Sequence, residues 1–460
     1  MLATRLAGTT RYGLQGGRSL KTLYIQQIMK LLYDANCFRN DGQQNVYRYD
    51  EAQGIWKRQF PVECRRAINE VMVKMKGPVL HVVDLRQIQI ELAEDQRFLE
   101  PKLAQQQPSQ WIVTCDARVN LRYCNTSEHK RDGFEKMYLD FKFDPQAQLK
   151  KESVFYSFLK SSLDVEPVDA EGNLHPKVRL LLESTIYLLS EFQGAKKAFI
   201  LLGAPHTGKS VWLNFLAMMV GEHAYAPLSL QDLGDRFRAS CIENVHLVLT
   251  HEVRCSTLKN LNIVKGIISG DPTIIEAKGK QPKTIIPRVK LMLAANALPM
   301  LGETDVGGAF TERLSVLVFS SKSVEDRDPE LLDKLYAERD LILSLAVQQA
   351  KNIIIHKLRF TEDPEGVRAL ESYQAEGNAV PSFLRENYLT DKDSKLYLLD
   401  VYEAFRSYCF ANLLAYSNSR GFRQQIAQLG YGIAKARINP ADNPRACIFG
   451  LKRKEISSDK

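Results

Sequence analysis

The chain has 460 residues, of which 45% are apolar and 25% charged, and this balance excludes a disordered or fibrous protein. Its length exceeds what one hydrophobic core usually serves, so two to four domains are expected. No apolar run approaches the roughly 18 residues of a membrane span, so no membrane partner is expected. The net charge of +8 indicates a polyanionic partner.

The eight cysteines are scattered along the chain. They form no Cys-x-x-Cys pair and lie beside no histidine cluster, so a zinc site is not expected. Reduced structural thiols are typical of a reducing compartment. The cysteine pattern therefore predicts a cytoplasmic protein.

Residues 1–170 mix helical and strand-like patterns and contain no paired-acid signature of a primase or polymerase centre. The runs Val46–Asp50 and Gly54–Arg58 flank a short turn and predict a β-hairpin. Apolar periodicity predicts helices over residues 20–33, 62–75 and 85–98. We therefore expect a mixed α+β domain in this part of the chain.

A glycine-rich loop follows the strand-like run Ala198–Leu202 and opens the helical run Val211–Val220. Its residues are Gly203, Ala204, Pro205, His206, Thr207, Gly208, Lys209 and Ser210. Two glycines let the backbone turn its N–H groups towards phosphate oxygens at a helix N-terminus. In such a loop Lys209 reaches the β- and γ-phosphates, and the Ser210 hydroxyl ligates Mg²⁺. The motif predicts binding of ATP with Mg²⁺.

Three later strand-like runs each carry a polar residue at one end. Glu252 closes one run, where an acid can polarise the attacking water or help to hold Mg²⁺. Asn296 closes the next, where an amide can hydrogen-bond the γ-phosphate or that water. Arg313 precedes a further apolar run. Each residue alone would be read as a strand end, a turn residue or a surface charge, but together they predict a catalytic site.

This arrangement resembles the superfamily 3 helicases, specifically the phage and plasmid primase-helicases related to the poxvirus primase-helicase. The resemblance extends beyond the loop to segments before and between the strand-like runs. They are Arg236-Phe237 with Ala239, Lys265–Pro272, Glu276–Pro282 and Ala294–Pro299.

The resemblance implies an AAA+-type ATPase that assembles as a ring, expected to be a hexamer, around single-stranded DNA. Glu252 would be the catalytic acid, Asn296 the sensor of the γ-phosphate, and Arg313 the finger that reaches the neighbouring subunit's site. Two residues depart from the family pattern. His251 stands where related ATPases often carry an acid, and Glu312 stands where the family often has a second arginine.

A basic segment between Ile275 and Ile285 predicts a second β-hairpin. Its lysines are Lys278, Lys280 and Lys283. In the family this hairpin lines the central pore, and lysines at its tip can pair with successive phosphates of single-stranded DNA. A solvated turn is the alternative.

The end of the chain has the helix, turn, helix and β-wing order of a winged-helix domain. The predicted elements are helices over 396–413 and 423–429 and strands over 433–438 and 446–451. The candidate contacts to duplex DNA are Arg420, Arg423, Lys435 and Arg437. A tail that merely packs on the ring is the alternative.

The expected fold is α/β: a mixed α+β N-terminal domain over residues 1–170, an AAA+-like P-loop ATPase core over 171–360 and a C-terminal winged-helix domain over 361–460. The expected function is that of an ATP-dependent replicative DNA helicase of a phage, plasmid or mobile element. Such a homo-oligomer would work in the bacterial host cytosol, with single-stranded DNA in its pore and duplex origin DNA on its C-terminal domain. The alternatives are an initiator that melts an origin without processive unwinding, the helicase part of a primase-helicase, and an RNA-directed helicase.

Overall fold

The structure is a computed structural model. It describes residues 14–15, 18–104, 109–135, 137–222, 224–243, 245–251, 258, 260–276, 279, 281–299, 308–320, 328–377, 379–411, 419–438 and 443–454. The chain divides into two compact units. The first comprises Met1–Ala147, Leu189–Phe192 and Arg339–Lys351, and the second Gln148–Leu188, Gln193–Glu338 and Asn352–Lys460. The division at residues 170 and 360 stays a prediction.

The α-helices of the described residues are α1 (Leu20–Asp34), α2 (Pro61–Lys74), α3 (Val82–Glu94), α4 (Pro101–Ala104), α5 (Val154–Leu163), α6 (Pro176–Leu188), α7 (Lys209–Val220), α8 (Leu230–Leu233), α9 (Arg236–Ala239), α10 (Leu261–Ser269), α11 (Leu331–Ala337), α12 (Arg339–Ile355), α13 (Pro364–Gly377), α14 (Ala379–Asn387), α15 (Leu398–Ala411) and α16 (Ser419–Gln428).

The β-strands of the same residues are β1 (Leu14–Gln15), β2 (Arg18–Ser19), β3 (Phe38–Asn40), β4 (Val46–Asp50), β5 (Ile55–Gln59), β6 (Trp111–Thr114), β7 (Arg118–Asn120), β8 (Asn125–Ser127), β9 (Tyr138–Leu139), β10 (Ala198–Leu202), β11 (Tyr225–Ala226), β12 (Leu247–Thr250), β13 (Thr273–Ile275), β14 (Lys283–Ile285), β15 (Lys290–Ala295), β16 (Leu314–Val318), β17 (Tyr388–Tyr397), β18 (Gly432–Ala436) and β19 (Arg445–Arg453).

The first unit combines helices α1–α3 with two small sheets, in the orders β3-β4-β5 and β8-β7-β6-β9. The predicted hairpin is confirmed, because β4 pairs antiparallel with β5. Its turn contains Gly54 at φ +68°, a conformation that glycine adopts without steric cost. Apolar residues of α1 are buried at helical spacing against α2 and α3. They are Ile25, Ile28, Met29 and Leu32.

A parallel five-stranded sheet organises the second unit, in the order β11-β12-β15-β10-β16. Strands β12 and β15 are buried throughout, as their nearly continuous apolar sequences predict. After β10 the chain builds β11, β12 and β15 on one side and then crosses to β16 on the other. Such a switch of direction opens a crevice at the carboxyl ends of the strands, where ligands of open α/β sheets bind.

Helix α13 covers the outer edge of β16. The Asp363 carboxylate accepts a hydrogen bond of 2.7 Å from the Val318 N–H. A Cβ added at Gly366 would lie 2.1 Å from the Val316 carbonyl oxygen, so only glycine allows this approach. The Val318 N–H is therefore satisfied by Asp363, and the start of α13 covers the Val316 carbonyl group.

A buried carboxylate joins α6 to the end of α12 and to the segment that follows it. Glu183 is fully buried and accepts hydrogen bonds from Asn352 Nδ2 at 2.6 Å, Thr361 N at 2.6 Å and Thr361 Oγ1 at 3.0 Å. Each of these donors would lose its acceptor if the carboxylate were removed. Glu183 therefore fixes the path of the chain towards α13.

The second predicted hairpin is also confirmed, because β13 and β14 pair antiparallel, with Thr273 opposite Ile285. Lys278 and Lys280 lie outside the described residues. Among the described helices, none has the length and apolarity needed to cross a bilayer.

Near the end of the chain, β17, β19 and β18 form an antiparallel sheet beside α14, α15 and α16. Strand β17 is an addition to the prediction, and it takes up the residues before Leu398, where α15 begins. Helix α15 has one exposed and one buried set of apolar residues. Leu399 and Phe410 are exposed, whereas Val401, Phe405 and Cys409 are buried.

Candidate functional site

The loop over residues 203–210 lies between β10 and α7, at the carboxyl edge of the parallel sheet. Its first residues are fixed by neighbouring strands: Gly203 N donates to Ala295 O at 3.1 Å, and Ala204 N donates to Ser320 O at 3.3 Å. Within the described residues, the backbone N–H groups from His206 to Ser210 donate to no protein acceptor. A turn of such N–H groups at a helix N-terminus is suited to an anion.

Both glycines of the loop are required by their surroundings. A Cβ at Gly203 would lie 2.8 Å from Phe319 Cβ. Gly208 has φ +94°, and a Cβ there would lie 2.5 Å from Ser162 Oγ and 2.7 Å from Phe158 Cε2. Helix α5, which carries Ser162 and Phe158, therefore packs directly against the turn of the loop.

Lys209 is buried at the start of α7. Its Nζ donates to the carbonyl oxygens of Gly203 at 2.8 Å and Ala204 at 2.5 Å, and to Thr207 Oγ1 at 3.4 Å. Burial lowers the pKa of Lys209. Its ammonium group is thus held by neutral oxygens within the loop, where anionic phosphate oxygens would be stronger acceptors.

Asn296 and Ser210 lie at the same edge of the sheet. Asn296 is exposed and directly follows Ala295, whose carbonyl oxygen accepts from Gly203 N. Ser210 is exposed in the first turn of α7. Both residues are therefore exposed at the edge of the sheet that carries the loop.

Glu252 lies outside the described residues, but the strand that leads to it ends at the same edge. Strand β12 pairs with β15 up to Thr250 opposite Leu293. His251 follows at the carboxyl end, and partial burial lowers its pKa, which favours the neutral imidazole. The described His, Cys, Asp and Glu residues form no group of three that could hold a metal ion. The role of Ser210 as a Mg²⁺ ligand stays a prediction.

Arg313 lies at the opposite, amino edge of the sheet. Strands β10 and β16 are parallel, with Ala198 opposite Leu314 and Leu202 opposite Val318. Arg313 immediately precedes β16, so roughly the length of a five-residue strand, about 16 Å, separates it from the loop of its own subunit.

Two neutral oxygens hold the half-buried Arg313 side chain. Nε donates to Ser269 Oγ at 2.7 Å, and Nη1 donates to the carbonyl oxygen of Ala309. In the described part of the chain, no carboxylate lies within ion-pair distance of Arg313. Its positive charge is therefore positioned but not neutralised.

The candidate DNA contacts near the end of the chain are exposed. They are Arg420 and Arg423 on α16, Lys435 on β18 and Arg437 after it. On α16 the opposite face is buried through Phe422, so the basic face is the outer one. On the β13–β14 hairpin, by contrast, Lys283 forms an ion pair with Glu243.

Sequence reasoning missed two sets of contacts around the site. Ser162 and Phe158 touch the loop from more than forty residues upstream, and no local pattern indicates this proximity. Lys197 donates hydrogen bonds to the carbonyl oxygens of Glu312 and Leu314, on either side of Arg313. Its position before a strand gave no signal that distinguishes it from a solvated lysine.

A family of unknown function, DUF5906, matches residues 201–313. The matched range starts in β10 and ends at Arg313, so it contains the loop, Asn296 and Arg313. It covers less than half of the chain, and the family's function is not defined.

Solved structures of the NrS-1 C-terminal region are similar to this chain. The A form apo structure has 13% sequence identity and a TM-score of 0.45, over 92% of this chain and 98% of that chain. The apo structure of residues 305–718 has 13% identity and a TM-score of 0.42, over 94% of this chain and all of that chain. At these values the similarity identifies neither a family nor an activity.

Proposed function

We propose that this chain is an ATP-dependent DNA helicase, of the kind encoded by phages, plasmids or other mobile elements. The observation that carries the proposal is the turn of N–H groups from His206 to Ser210. With Lys209 at its centre, the turn offers convergent donors to a triphosphate. Mg²⁺ held by Ser210 would neutralise the charge that develops on the β- and γ-phosphates.

Hydrolysis needs a positioned water molecule as well as a bound triphosphate. Asn296 is available at the carboxyl edge to hydrogen-bond the γ-phosphate or the attacking water. Glu252, which follows β12, is proposed as the acid that polarises this water. Water attacks the γ-phosphorus, the bond to the bridging oxygen breaks, and ADP and phosphate leave.

The position of Arg313 supports a site shared between subunits. An arginine at the amino edge does not reach the loop of its own subunit, whereas a neighbour's loop could approach it. Its charge, unpaired by any described carboxylate, would stabilise the transition state in the neighbour. Repetition of this head-to-tail contact closes a ring when the rotation between subunits allows. The parallel sheet, with the loop strand between β15 and β16, supports an AAA+-like core.

The DNA contacts are proposed on two basic elements. The segment from β13 to β14, whose sequence includes Lys278, Lys280 and Lys283, would follow single-stranded DNA in the pore. The order α14-β17-α15-α16-β18-β19 supports a winged-helix domain. Its exposed cations would contact the backbone of duplex DNA.

The test is a pair of variants in the full chain. Lys209→Ala is expected to abolish ATP hydrolysis and leave duplex binding intact, whereas Lys334→Ala, on an exposed, ion-paired lysine, should change neither. Persistent hydrolysis in Lys209→Ala would refute the assignment of the loop. Arg313→Ala is expected to lose hydrolysis and to regain it when mixed with Lys209→Ala subunits, because each variant completes the other's interface.

An origin-melting initiator is the second candidate, favoured by the exposed cations on α16 and β18. An initiator and a processive helicase both show ATPase activity stimulated by DNA. Only the helicase displaces a strand over a long forked duplex. Stimulation by single-stranded DNA but no displacement would favour the initiator.

A further inference from the structure

The turn that carries Arg313 is held by a lysine from the neighbouring strand. Lys197 directly precedes β10, and its Nζ donates to Glu312 O at 2.6 Å and to Leu314 O at 3.2 Å. These carbonyl groups flank Arg313 on both sides. Charged donors make hydrogen bonds roughly twice as strong as neutral ones, so this contact restrains the backbone at the point from which the guanidinium extends.

The surroundings of the Lys197 ammonium group support a role in holding the Glu312 and Leu314 carbonyl groups. Desolvation lowers the pKa of its ammonium group, while the charges of Glu362 and Glu312 oppose that shift. Within the described residues no carboxylate lies within ion-pair distance of Nζ, whereas the carbonyl oxygens of Glu312 and Leu314 accept its hydrogen bonds. The position of the ammonium group is therefore better explained by the backbone that it holds than by a surface ion pair.

Other contacts hold different parts of the turn that carries Arg313. Arg313 N donates to Phe310 O at 2.9 Å, and Phe310 and Thr311 are buried. These contacts fix the start of the turn, and Ser269 holds the side chain. A cavity of about 550 Å³ borders the turn on the side of Lys197, and Lys197 adds to the restraint that the pairing of β10 with β16 gives from Leu314 onward.

We infer that Lys197 is a positioning residue for the Arg313 finger and acts on hydrolysis in the neighbouring subunit. The inference rests on the proposed function, because a finger acts only across an interface. Lys197 touches neither the loop nor the nucleotide of its own subunit. Removing the Lys197 ammonium group should therefore leave ATP binding intact and slow ATP hydrolysis in the neighbouring subunit.

The experiment uses the full chain with Lys197→Met, which keeps the aliphatic stem and removes the ammonium group. We expect kcat for ATP hydrolysis to fall about 10- to 100-fold, because a misplacement of about 1 Å near a reacting centre costs up to 10²-fold, while KM changes less than about twofold. Lys197→Arg should retain most of the activity. Lys197→Gln, which keeps one donor group, is measured alongside in case Lys197→Met misfolds.

Mixing experiments separate positioning from a general effect on folding. Lys197→Met subunits keep an intact loop, and Lys209→Ala subunits keep an intact finger, so the mixture should regain hydrolysis. Wild-type kcat in Lys197→Met, or weakened ATP binding without recovery on mixing, overturns the inference. If Arg313→Ala recovers with Lys209→Ala but Lys197→Met does not, only the role of Lys197 fails. If neither recovers, the shared site fails, and this inference fails with it.

Discussion

Gly208→Ala is expected to damage the loop by a calculable amount. At φ +94° any Cβ costs about 1–2 kcal/mol of backbone strain. The added Cβ would also meet Ser162 Oγ at 2.5 Å and Phe158 Cε2 at 2.7 Å. Both residues are buried, so overpacking adds about 1–3 kcal/mol. The total destabilisation is therefore about 2–5 kcal/mol.

Gly172→Ala is the matched control. Gly172 has φ +85°, and a Cβ there meets nothing within 4 Å. This substitution should cost only the strain of about 1–2 kcal/mol. The difference between the two variants isolates the contact of α5 with the loop.

The assay is thermal unfolding with and without MgATP. Gly208→Ala should lower the midpoint more than Gly172→Ala and should lose most of the shift produced by MgATP, because the N–H groups of the turn are displaced. Adding Ser162→Ala removes the closest atom and should restore about 1 kcal/mol. Equal midpoints and equal MgATP shifts in the two glycine variants would show that α5 does not constrain the loop.

Three further predictions concern other parts of the second unit. Glu183→Ala should lower the free energy of unfolding by about 3 kcal/mol, measured with urea, because it leaves three half-buried donors of Asn352 and Thr361 without their acceptor; Glu183→Gln should cost less, and equal losses would contradict this account. Asn296→Ala should retain binding of a fluorescent ATP analogue but lose steady-state hydrolysis. If binding falls as much as hydrolysis, Asn296 acts in ATP binding together with the loop. Lys435→Ala and Arg437→Ala should each reduce the slope of log affinity for duplex DNA against log salt by about 0.9, whereas Lys334→Ala should leave the slope unchanged. If either of the first two variants has the wild-type slope, the substituted residue does not contact the DNA.

The sequence predicted the elements whose patterns are local. Strand β10 is an uninterrupted apolar run, β15 is apolar after Lys290, and the glycine loop has fixed spacing, so these elements follow from neighbouring residues. The β13–β14 hairpin likewise lies between two short apolar runs. These are the cases in which periodicity and turn chemistry determine local structure.

Features that depend on contacts between distant parts of the chain could not be predicted from the sequence and were found only in the structure. Strand β17 carries charged residues through its middle and is defined by its pairing with β19, so no local pattern distinguished it. Leu399 and Phe410 fit helical spacing, yet only the opposite face of α15 meets the sheet. Ser269 accepts a hydrogen bond from Arg313, and Lys197 donates to the carbonyl groups on either side of it. Both residues come from other elements, so their positions depend on how the sheet assembles.

The protected edge of β16 limits how copies of this chain can associate. An open strand edge invites another chain to add a strand, and such main-chain association resembles the contacts of fibrils. Here the Val318 N–H is occupied by Asp363, and Gly366 lies against the Val316 carbonyl group. Another chain therefore cannot add a strand along Val316–Val318, and a copy that approached this part of the edge would meet the side chains of α13 instead.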